Sequence, residues 1–295
     1  MRQLWVSLDN SALRELAGSD DLRRLEEEAG KPKRERGVVF CYSYTSFSEL
    51  LLRTGPHNGS VHQELLGVAE RLCGPDRGAY LPPPAVHLHL WLEGMTPDEN
   101  TRRNVAMLGN LIHDFIGVQS YDDFVERFGP MQQGMAESLA QYTEALLDEV
   151  RFRRDRIRFR ADARASFERA MSVPNLLHQN REEILSQFEL SAYFGKASDE
   201  EILRAAAGLL CYLELERAFA AWYCLDEVEP QLGHYFARQE AVYLDGCDYV
   251  VSADRSYRDL FNRYESNHLN GRAITITDLT RHLNHPCLVP RASAG

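Results

Sequence analysis

The sequence predicts an α/β fold: a central parallel sheet of about four or five strands flanked by helices, with a large helical insertion. Two short runs of apolar, β-forming residues, 4–8 and 249–251, each stop at polar residues. Long stretches with helical periodicity lie between them, and strands that alternate with helices favour a parallel sheet. A chain of 295 residues with 44% hydrophobic content has enough apolar side chains to bury such a core.

Residues 1–94 are predicted to form the N-terminal part of the α/β domain. Glu49 lies three residues after Ser46, which is the spacing of a capping box. The same glutamate can instead point toward Asp9, so both roles stay open. The expected elements are a strand at 3–8, a helix from Ser11 to about Glu28, a strand at 38–42, a helix that begins near Thr45 or Ser46, a short helix at 61–72 and a third strand at 85–91.

The third predicted strand carries two histidines. Residues 85–91 alternate in a pattern that puts His87 and His89 on one face of the strand. Two histidines at this spacing can ligate a metal ion, but no further Cys or His stands at a helpful spacing. We therefore favour a polar sheet face as the interpretation of this pair.

Residues 95–230 are predicted to form the helical insertion. Residues 151–164 hold seven arginines against two aspartates, which indicates either a solvated helix face or a wall that contacts phosphates. Ser198 and Glu201 have capping-box spacing at the start of a later helix. Apolar residues recur every three or four positions along one long helix, at Met131, Met135, Leu139, Tyr142, Leu146 and Val150.

Residues 231–295 are predicted to complete the α/β domain. Asp254 follows the strand at 249–251 as Asp9 follows the first strand, and open α/β sheets bind ligands past the carboxyl ends of their strands. The two carboxylates can converge there; the alternative is that each simply caps the helix that follows it. The expected elements are a helix from His234 to Leu244, the strand at 249–251, a turn at Asn270-Gly271, a strand at 273–276 and a short closing helix.

Composition narrows the function classes. The net charge of −11 argues against a protein that coats nucleic acid, but it is compatible with a nuclease whose carboxylates bind cations. Six cysteines without a CxxC pair (Cys41, Cys73, Cys211, Cys224, Cys247 and Cys287) favour buried free thiols over disulfides or a zinc site. No signal-peptide pattern and no run of about 18 apolar residues is present, so we expect a cytoplasmic protein without membrane association.

Three short motifs occur in an informative order. They are Leu8-Asp9-Asn10-Ser11-Ala12-Leu13, Ser46-Phe47-Ser48-Glu49-Leu50-Leu51 and Val250-Val251-Ser252-Ala253-Asp254, followed by a last strand and short helix at 273–279. In this order they resemble the PIN-like domain family, a fold of metal-dependent ribonucleases found in many toxin–antitoxin and RNA-processing proteins. The resemblance covers roughly the first 55 and the last 60 residues.

The resemblance implies a metal-dependent endoribonuclease that uses Mg²⁺ or Mn²⁺ and acts on RNA, with a protein inhibitor as a further expected partner. Hard cations take oxygen ligands, lower the pKa of a bound water and clamp phosphate oxygens. The implied roles are catalytic for Asp9, Glu49, Asp254 and Ser252, and metal-binding for Asp9, Glu49, Glu240 and Asp254. The candidate substrate contacts are Ser11, Arg255 and His234, and the alternative for His234 is a polar role at the start of its helix.

One position departs from the family pattern. The family places a further aspartate roughly 17 residues before the last one, and Ala237 stands there in this chain. Glu240, about one helical turn later, is the carboxylate that can replace it. The alternative function is a catalytically weak or inactive PIN-like scaffold that binds a protein or nucleic acid through its helical insertion. A phosphatase or a DNA-directed flap-type nuclease is a third interpretation of the same carboxylates.

Overall fold

The structure, a computed structural model, describes residues 3–32, 35, 37–74, 78–93, 99–157, 163–226, 228–263, 268–269 and 271–284. Within these ranges, five parallel strands form one sheet in the order β3-β2-β1-β4-β5, which confirms the predicted fold class. The chain extends the sheet from β1 first to one side and then to the other, so the order reverses between β1 and β4. The strands are β1 (Leu4–Leu8), β2 (Val38–Ser43), β3 (Ala79–Leu81), β4 (Tyr249–Val251) and β5 (Ala273–Ile274).

Helices cover both faces of this sheet. A 3-10 turn, Val242–Asp245, leads into β4. The helices are α1 (Asn10–Ala17), α2 (Asp21–Ala29), α3 (Tyr44–Leu52), α4 (Gly59–Cys73), α5 (Pro84–Leu92), α6 (Glu99–Ile116), α7 (Tyr121–Ile157), α8 (Ala163–Ala170), α9 (Val173–Gln179), α10 (Arg181–Gln187), α11 (Ser191–Phe194), α12 (Asp199–Ala205), α13 (Ala207–Leu225), α14 (Leu232–Ala241), α15 (Arg255–Arg263) and α16 (Ile276–Asn284).

Alternate residues of the central strands enter two different cores. Val6 and Leu8 of β1 pack in a core with α1, α3 and α4, because successive strand side chains point to opposite faces. Val250 of β4 packs in the second core, which α9, α13 and α15 complete. The described part of the predicted insertion (95–230) contributes to both cores, through α6 and the start of α7 on one face and α9–α13 on the other.

The predicted strand at 85–91 is wrong, because this segment is helix α5. Pro84 stands at the first helical position after Pro83, where its fixed φ favours a helix start. The third strand is instead the three-residue β3. On a helix, positions two apart point in different directions, so His87 packs against Tyr243 while His89 bonds the carbonyls of Phe188 and Glu189. The pair therefore makes neither a polar sheet face nor a metal site.

Two predictions of where helices begin and end are also wrong. The single helix expected from Ser11 to about Glu28 is two helices, α1 and α2, because α1 ends at Gly18. The cap of α3 is Ser43, whose hydroxyl accepts the Ser46 amide, so neither Thr45 nor Ser46 caps this helix. The capping box at Ser198 and Glu201 is confirmed.

The cysteine and membrane predictions can be compared with the described part of the chain. Five cysteines are buried free thiols, as predicted, and Cys287 lies outside the described residues. In the described ranges, no helix combines the length and the apolar character that crossing a bilayer requires.

The helical insertion docks on the rest of the domain through a close backbone approach. A Cβ atom at Gly208 of α13 would lie 2.4 Å from the Val242 carbonyl oxygen and 3.0 Å from Leu88 Cδ2. Gly208 is therefore required because α13 contacts the turn before β4 directly.

We expect Gly208→Ala to lower the free energy of unfolding by about 3 kcal/mol, because the added methyl group meets a backbone oxygen that cannot move aside. Gly67→Ala in α4 is the matched control, since nothing lies within 4 Å of the position that its added methyl group would take. The control is expected to raise the free energy of unfolding by about 0.5–1 kcal/mol, because alanine has a higher helix propensity than glycine. Urea unfolding measures both; equal effects of the two substitutions would contradict the close packing of α13.

Candidate functional site

Asp9 and Asp254 lie together at the carboxyl edge of the sheet. The register pairs Leu8 of β1 with Val251 of β4, so the residues that follow these two strands are neighbours. The Asp9 amide donates to the Val251 carbonyl at 3.2 Å. This edge is also where the strand order reverses, and ligands of open α/β sheets bind at such a reversal. The predicted convergence of the two aspartates is therefore present.

The Ser11 hydroxyl connects the two strand ends. It donates to Asp9 Oδ1 at 2.7 Å and lies 3.1 Å from the Ser252 hydroxyl. It also accepts the backbone N–H groups of Ala253 and Asp254, at 2.8 and 3.2 Å. Ser11 and the buried Ser252 thus fix the position of the Asp254 backbone relative to Asp9.

Both aspartates also cap helices, as the alternative interpretation predicted. Asp9 Oδ1 accepts the Ala12 amide at the start of α1, and Asp254 Oδ1 accepts the Tyr257 amide in α15. Each cap involves one carboxylate oxygen. Capping and a role at the edge of the sheet are therefore compatible in the same side chains.

Glu49 faces the same edge from α3. Asn10 donates to Glu49 Oε2 at 3.2 Å and to the Ser46 carbonyl at 2.8 Å, which links α1 to α3. Arg53, one turn later on α3, pairs with Glu49 Oε1 at 2.7 Å. Glu49 therefore points toward Asp9, and the capping box proposed for it does not form.

Glu240 lies deeper, beneath this edge. Its side chain is buried, and its carboxylate accepts hydrogen bonds from the hydroxyls of Ser43, Ser46 and Ser7. Ala237, one turn earlier on α14, is half-buried beside it. The substitution of Glu240 for the expected aspartate thus brings a carboxylate to the site, and its role as a metal ligand stays a prediction.

These side chains line one cleft of about 340 Å³. The predicted residues in its wall are Asp9, Ser11, Glu49, Glu240, Asp254 and His234. Arg14, Arg53 and Trp222 also line it, and the sequence interpretation missed all three. The sequence contained a signal for Arg53, because this residue lies four positions after Glu49, the spacing at which side chains on one helix interact. A larger cavity of about 810 Å³ shares Phe236 with the cleft but contains none of the predicted site residues.

The two predicted substrate contacts other than Ser11 have different surroundings. His234 Nδ1 accepts the Gln231 amide, and its ring packs against Tyr223 and Trp222. Burial lowers the pKa of His234 to about 4, so this ring is neutral at pH 7 and cannot attract a phosphate by charge. Arg255 is exposed, pairs with Asp259 along α15 and is not in the lining of the cleft.

Burial raises the pKa values of two carboxylates at the cleft, and the charges of their neighbours add to the increase. Burial raises the pKa of Asp9 to about 6, and the charge of Glu49 adds to the increase. Hydrogen bonds from Ser252, Ala12 and Ser11 lower this pKa and offset part of the effect. Burial also raises the pKa of Glu240 to about 7, and the charges of Asp9 and Glu49 raise it further. Hydrogen bonds from two serines lower this pKa and offset part of the effect. Ionising these groups together is unfavourable unless a positive charge enters the cleft.

We expect Asp9→Asn to stabilise the protein by about 2 kcal/mol at pH 8 and by nothing at pH 4, in the presence of EDTA. The folded protein holds the Asp9 proton more tightly than the unfolded chain does, so the wild type loses stability as the pH rises from about 4 to about 6. Asparagine also caps the helix, and its amide does not ionise, so the variant does not lose stability over this pH range. Urea unfolding at both pH values measures the difference, and a pH-independent difference would contradict the raised pKa.

The residues fit a hard divalent cation in donor type and in charge. The cleft offers carboxylate and hydroxyl oxygens, and its carboxylates repel one another. Within the described ranges, no three His, Cys, Asp or Glu side chains come close enough together to hold an ion by themselves. A cation here would be held by Asp9 with Asp254 or Glu49 and complete its shell with water, as Mg²⁺ commonly does in proteins.

Comparisons with protein-family models, with curated proteins and with solved structures find no match for this chain.

Proposed function

We propose that this protein is a PIN-like, divalent-cation-dependent endoribonuclease that hydrolyses RNA phosphodiester bonds in the cleft at the carboxyl edge of its sheet. The observation that carries the proposal is the convergence of Asp9, Glu49 and Asp254 at the point where the order of parallel strands reverses. This is the position where an open α/β sheet binds its ligand. The motif resemblance implies these three residues, and the strand order independently supports Asp9 and Asp254.

Asp9 together with Asp254 or Glu49 would hold the cation through their carboxylates, and water would complete its coordination shell. Bound Mg²⁺ or Mn²⁺ would supply a water of lowered pKa and compensate charge on the phosphate oxygens. Ser11 and Ser252 keep the Asp254 backbone and Asp9 in register, so the ligands are positioned before the substrate arrives.

Hydrolysis forms a bond between the water oxygen and phosphorus and breaks one bridging P–O bond, and the leaving oxygen takes a proton. Arg14 supplies positive charge in the wall of the cleft for the negatively charged substrate, and Arg53, which is paired with Glu49, offers its further N–H donors there. The charge balance of the cleft is therefore suited to an anion that binds next to a cation.

One observation supports the alternative of an inactive scaffold. Ala237 stands where the family pattern would supply a fourth acidic group, and three serine hydroxyls already bond the carboxylate of Glu240, its nearest replacement. If those bonds persist, the cation has fewer ligands than in the family pattern. The protein would then bind a partner through its helical insertion without cleaving RNA.

A cleavage assay separates the two functions. End-labelled single-stranded RNA is incubated with the full chain in Mn²⁺, in Mg²⁺ and in EDTA, and the fragments are resolved by size. The proposal predicts internal cleavage that needs the divalent cation. Absence of cleavage in both cations, together with no cation-dependent rise in melting temperature, would favour the scaffold. A double-stranded DNA with a flap and a phosphate monoester, run in parallel, distinguish the flap-nuclease and phosphatase interpretations.

A further inference from the structure

Trp222 of the helical insertion forms an aromatic wall of the carboxylate cleft. The indole is half-buried and packs beside the rings of His234, at a centroid distance of 5.2 Å, and Phe219, at 6.2 Å. It also lines the cleft that contains Asp9 and Asp254. Neither holding a cation nor hydrolysing a phosphodiester requires an indole, so the proposed reaction leaves this side chain unexplained.

The aromatic wall is rigidly held. His234 stacks on Tyr223 with an interplanar angle of 29°, and the Tyr223 hydroxyl lies 3.0 Å from His234 Nδ1. The Gln231 backbone N–H also donates to His234 Nδ1, and this hydrogen bond fixes the start of α14. Trp222 thus rests on aromatic rings that are themselves fixed by hydrogen bonds, as a stacking platform requires.

The positive side chains of the cleft come from different elements. Arg14 is on α1 and Arg53 on α3, and both lower the pKa of His62 after the larger effect of burial. Both side chains line the cleft that Trp222 also lines. An aromatic platform beside a pair of arginines is the combination that binds a base and its phosphate in single strands.

The dimensions of the cleft limit what can stack there. A volume of about 340 Å³ is small for a ligand site and suits one nucleotide. A base inside a duplex is covered by its stacked and paired neighbours, whereas a single strand can turn one base outward onto an aromatic ring.

We infer that Trp222 is a base-stacking subsite: one nucleobase next to the scissile phosphate packs on its indole while Arg14 and Arg53 contact the adjoining phosphates. The inference rests on the proposed function, because it places the scissile phosphate at Asp9 and Asp254. It adds that the helical insertion contributes directly to substrate binding, and that the enzyme selects single-stranded nucleic acid through one base.

Binding is measured on the full chain carrying Asp9→Asn, which prevents cleavage, together with Trp5→Phe and Trp91→Phe. Trp222 is then the one remaining tryptophan of three. The probes are an eight-residue oligouridylate and an abasic oligomer of the same length. We expect oligouridylate to quench Trp222 fluorescence and the abasic oligomer to bind without quenching.

Trp222→Ala, assayed by anisotropy of labelled oligomers, is expected to weaken oligouridylate binding about 5- to 100-fold. Its affinity for the abasic oligomer should stay unchanged, which also shows that the cleft is intact. Trp222→Phe should recover part of the lost affinity. Equal weakening of both oligomers, or no weakening of either, overturns the stacking subsite.

The outcomes separate this inference from the proposed function. If the wild type cleaves RNA but Trp222→Ala binds both oligomers as before, the subsite is wrong and the nuclease stands. If the wild type does not cleave in Mn²⁺ while Trp222→Ala loses base-dependent binding, the subsite stands and the nuclease is wrong. If neither oligomer binds to the parent protein, the subsite is wrong, and cleavage by the wild type alone decides the nuclease.

Discussion

Replacing Asp9 or Asp254 with asparagine is expected to lower cation-dependent RNA cleavage about 10³-fold while the fold stays intact. This is the scale of losing one group that stabilises charge in a transition state. Asparagine is nearly the same size as aspartate and keeps both helix caps, so the lost property is the negative charge that attracts the cation. Single-turnover cleavage rates at saturating Mn²⁺ measure the effect.

Asp248→Asn is the matched control for these two variants. Asp248 precedes β4 and accepts the Trp5 amide at 2.9 Å, so it lies at the amino end of the strand whose carboxyl end carries Asp254. We expect its cleavage rate to remain within about twofold of wild type, because it is outside the cleft. Equal losses in all three variants would indicate a general effect on folding and contradict the assignment of the site.

Arg238→Ala is expected to lower the free energy of unfolding by about 4 kcal/mol, the largest effect on stability that we predict. Arg238 is 1% exposed, pairs with Glu216 of α13 at 2.5 Å and lies over the rings of Tyr142 and Phe219. Truncation removes these contacts, leaves Glu216 without its partner and opens a cavity among the helices. Urea unfolding at pH 7 measures the change.

The control for this variant is Arg255→Ala. Arg255 is exposed and its ion pair with Asp259 runs along a helix surface, so we expect a change below about 0.5 kcal/mol. Arg238 is on α14, which also carries His234 and Glu240, and its partners are in the helical insertion. A small effect of Arg238→Ala would contradict the view that the insertion holds α14 against the cleft.

The positions of Asp9 and Asp254 could be predicted from the sequence because both are local signals. A carboxylate within three residues of the end of a buried run of β-forming residues is expected at the carboxyl edge of a parallel sheet. The strand at 85–91 could not be predicted correctly, since its alternation imitates a strand while the deciding signal, Pro84 at a helix start, lies outside the run. The actual β3 has three residues, which is too short for a periodic pattern.

Other parts of the site depend on packing between distant segments. Glu240 finds its serines at positions 7, 43 and 46, about 200 residues earlier in the chain, and no local pattern indicates those bonds. Trp222 lies in a helix with many buried residues, and its local sequence does not distinguish the wall of a cleft from the core. Its place at the cleft follows from how α13 docks against α14 and the sheet.

The most direct test of the cation site is an anomalous difference map from crystals soaked in Mn²⁺. We expect one or two peaks in the cleft, within coordination distance of an Asp9 oxygen and of Asp254 or Glu49. These peaks should be lost in crystals of Asp9→Asn. A map without a peak in the cleft, at a Mn²⁺ concentration that fully occupies surface sites elsewhere on the protein, would contradict it.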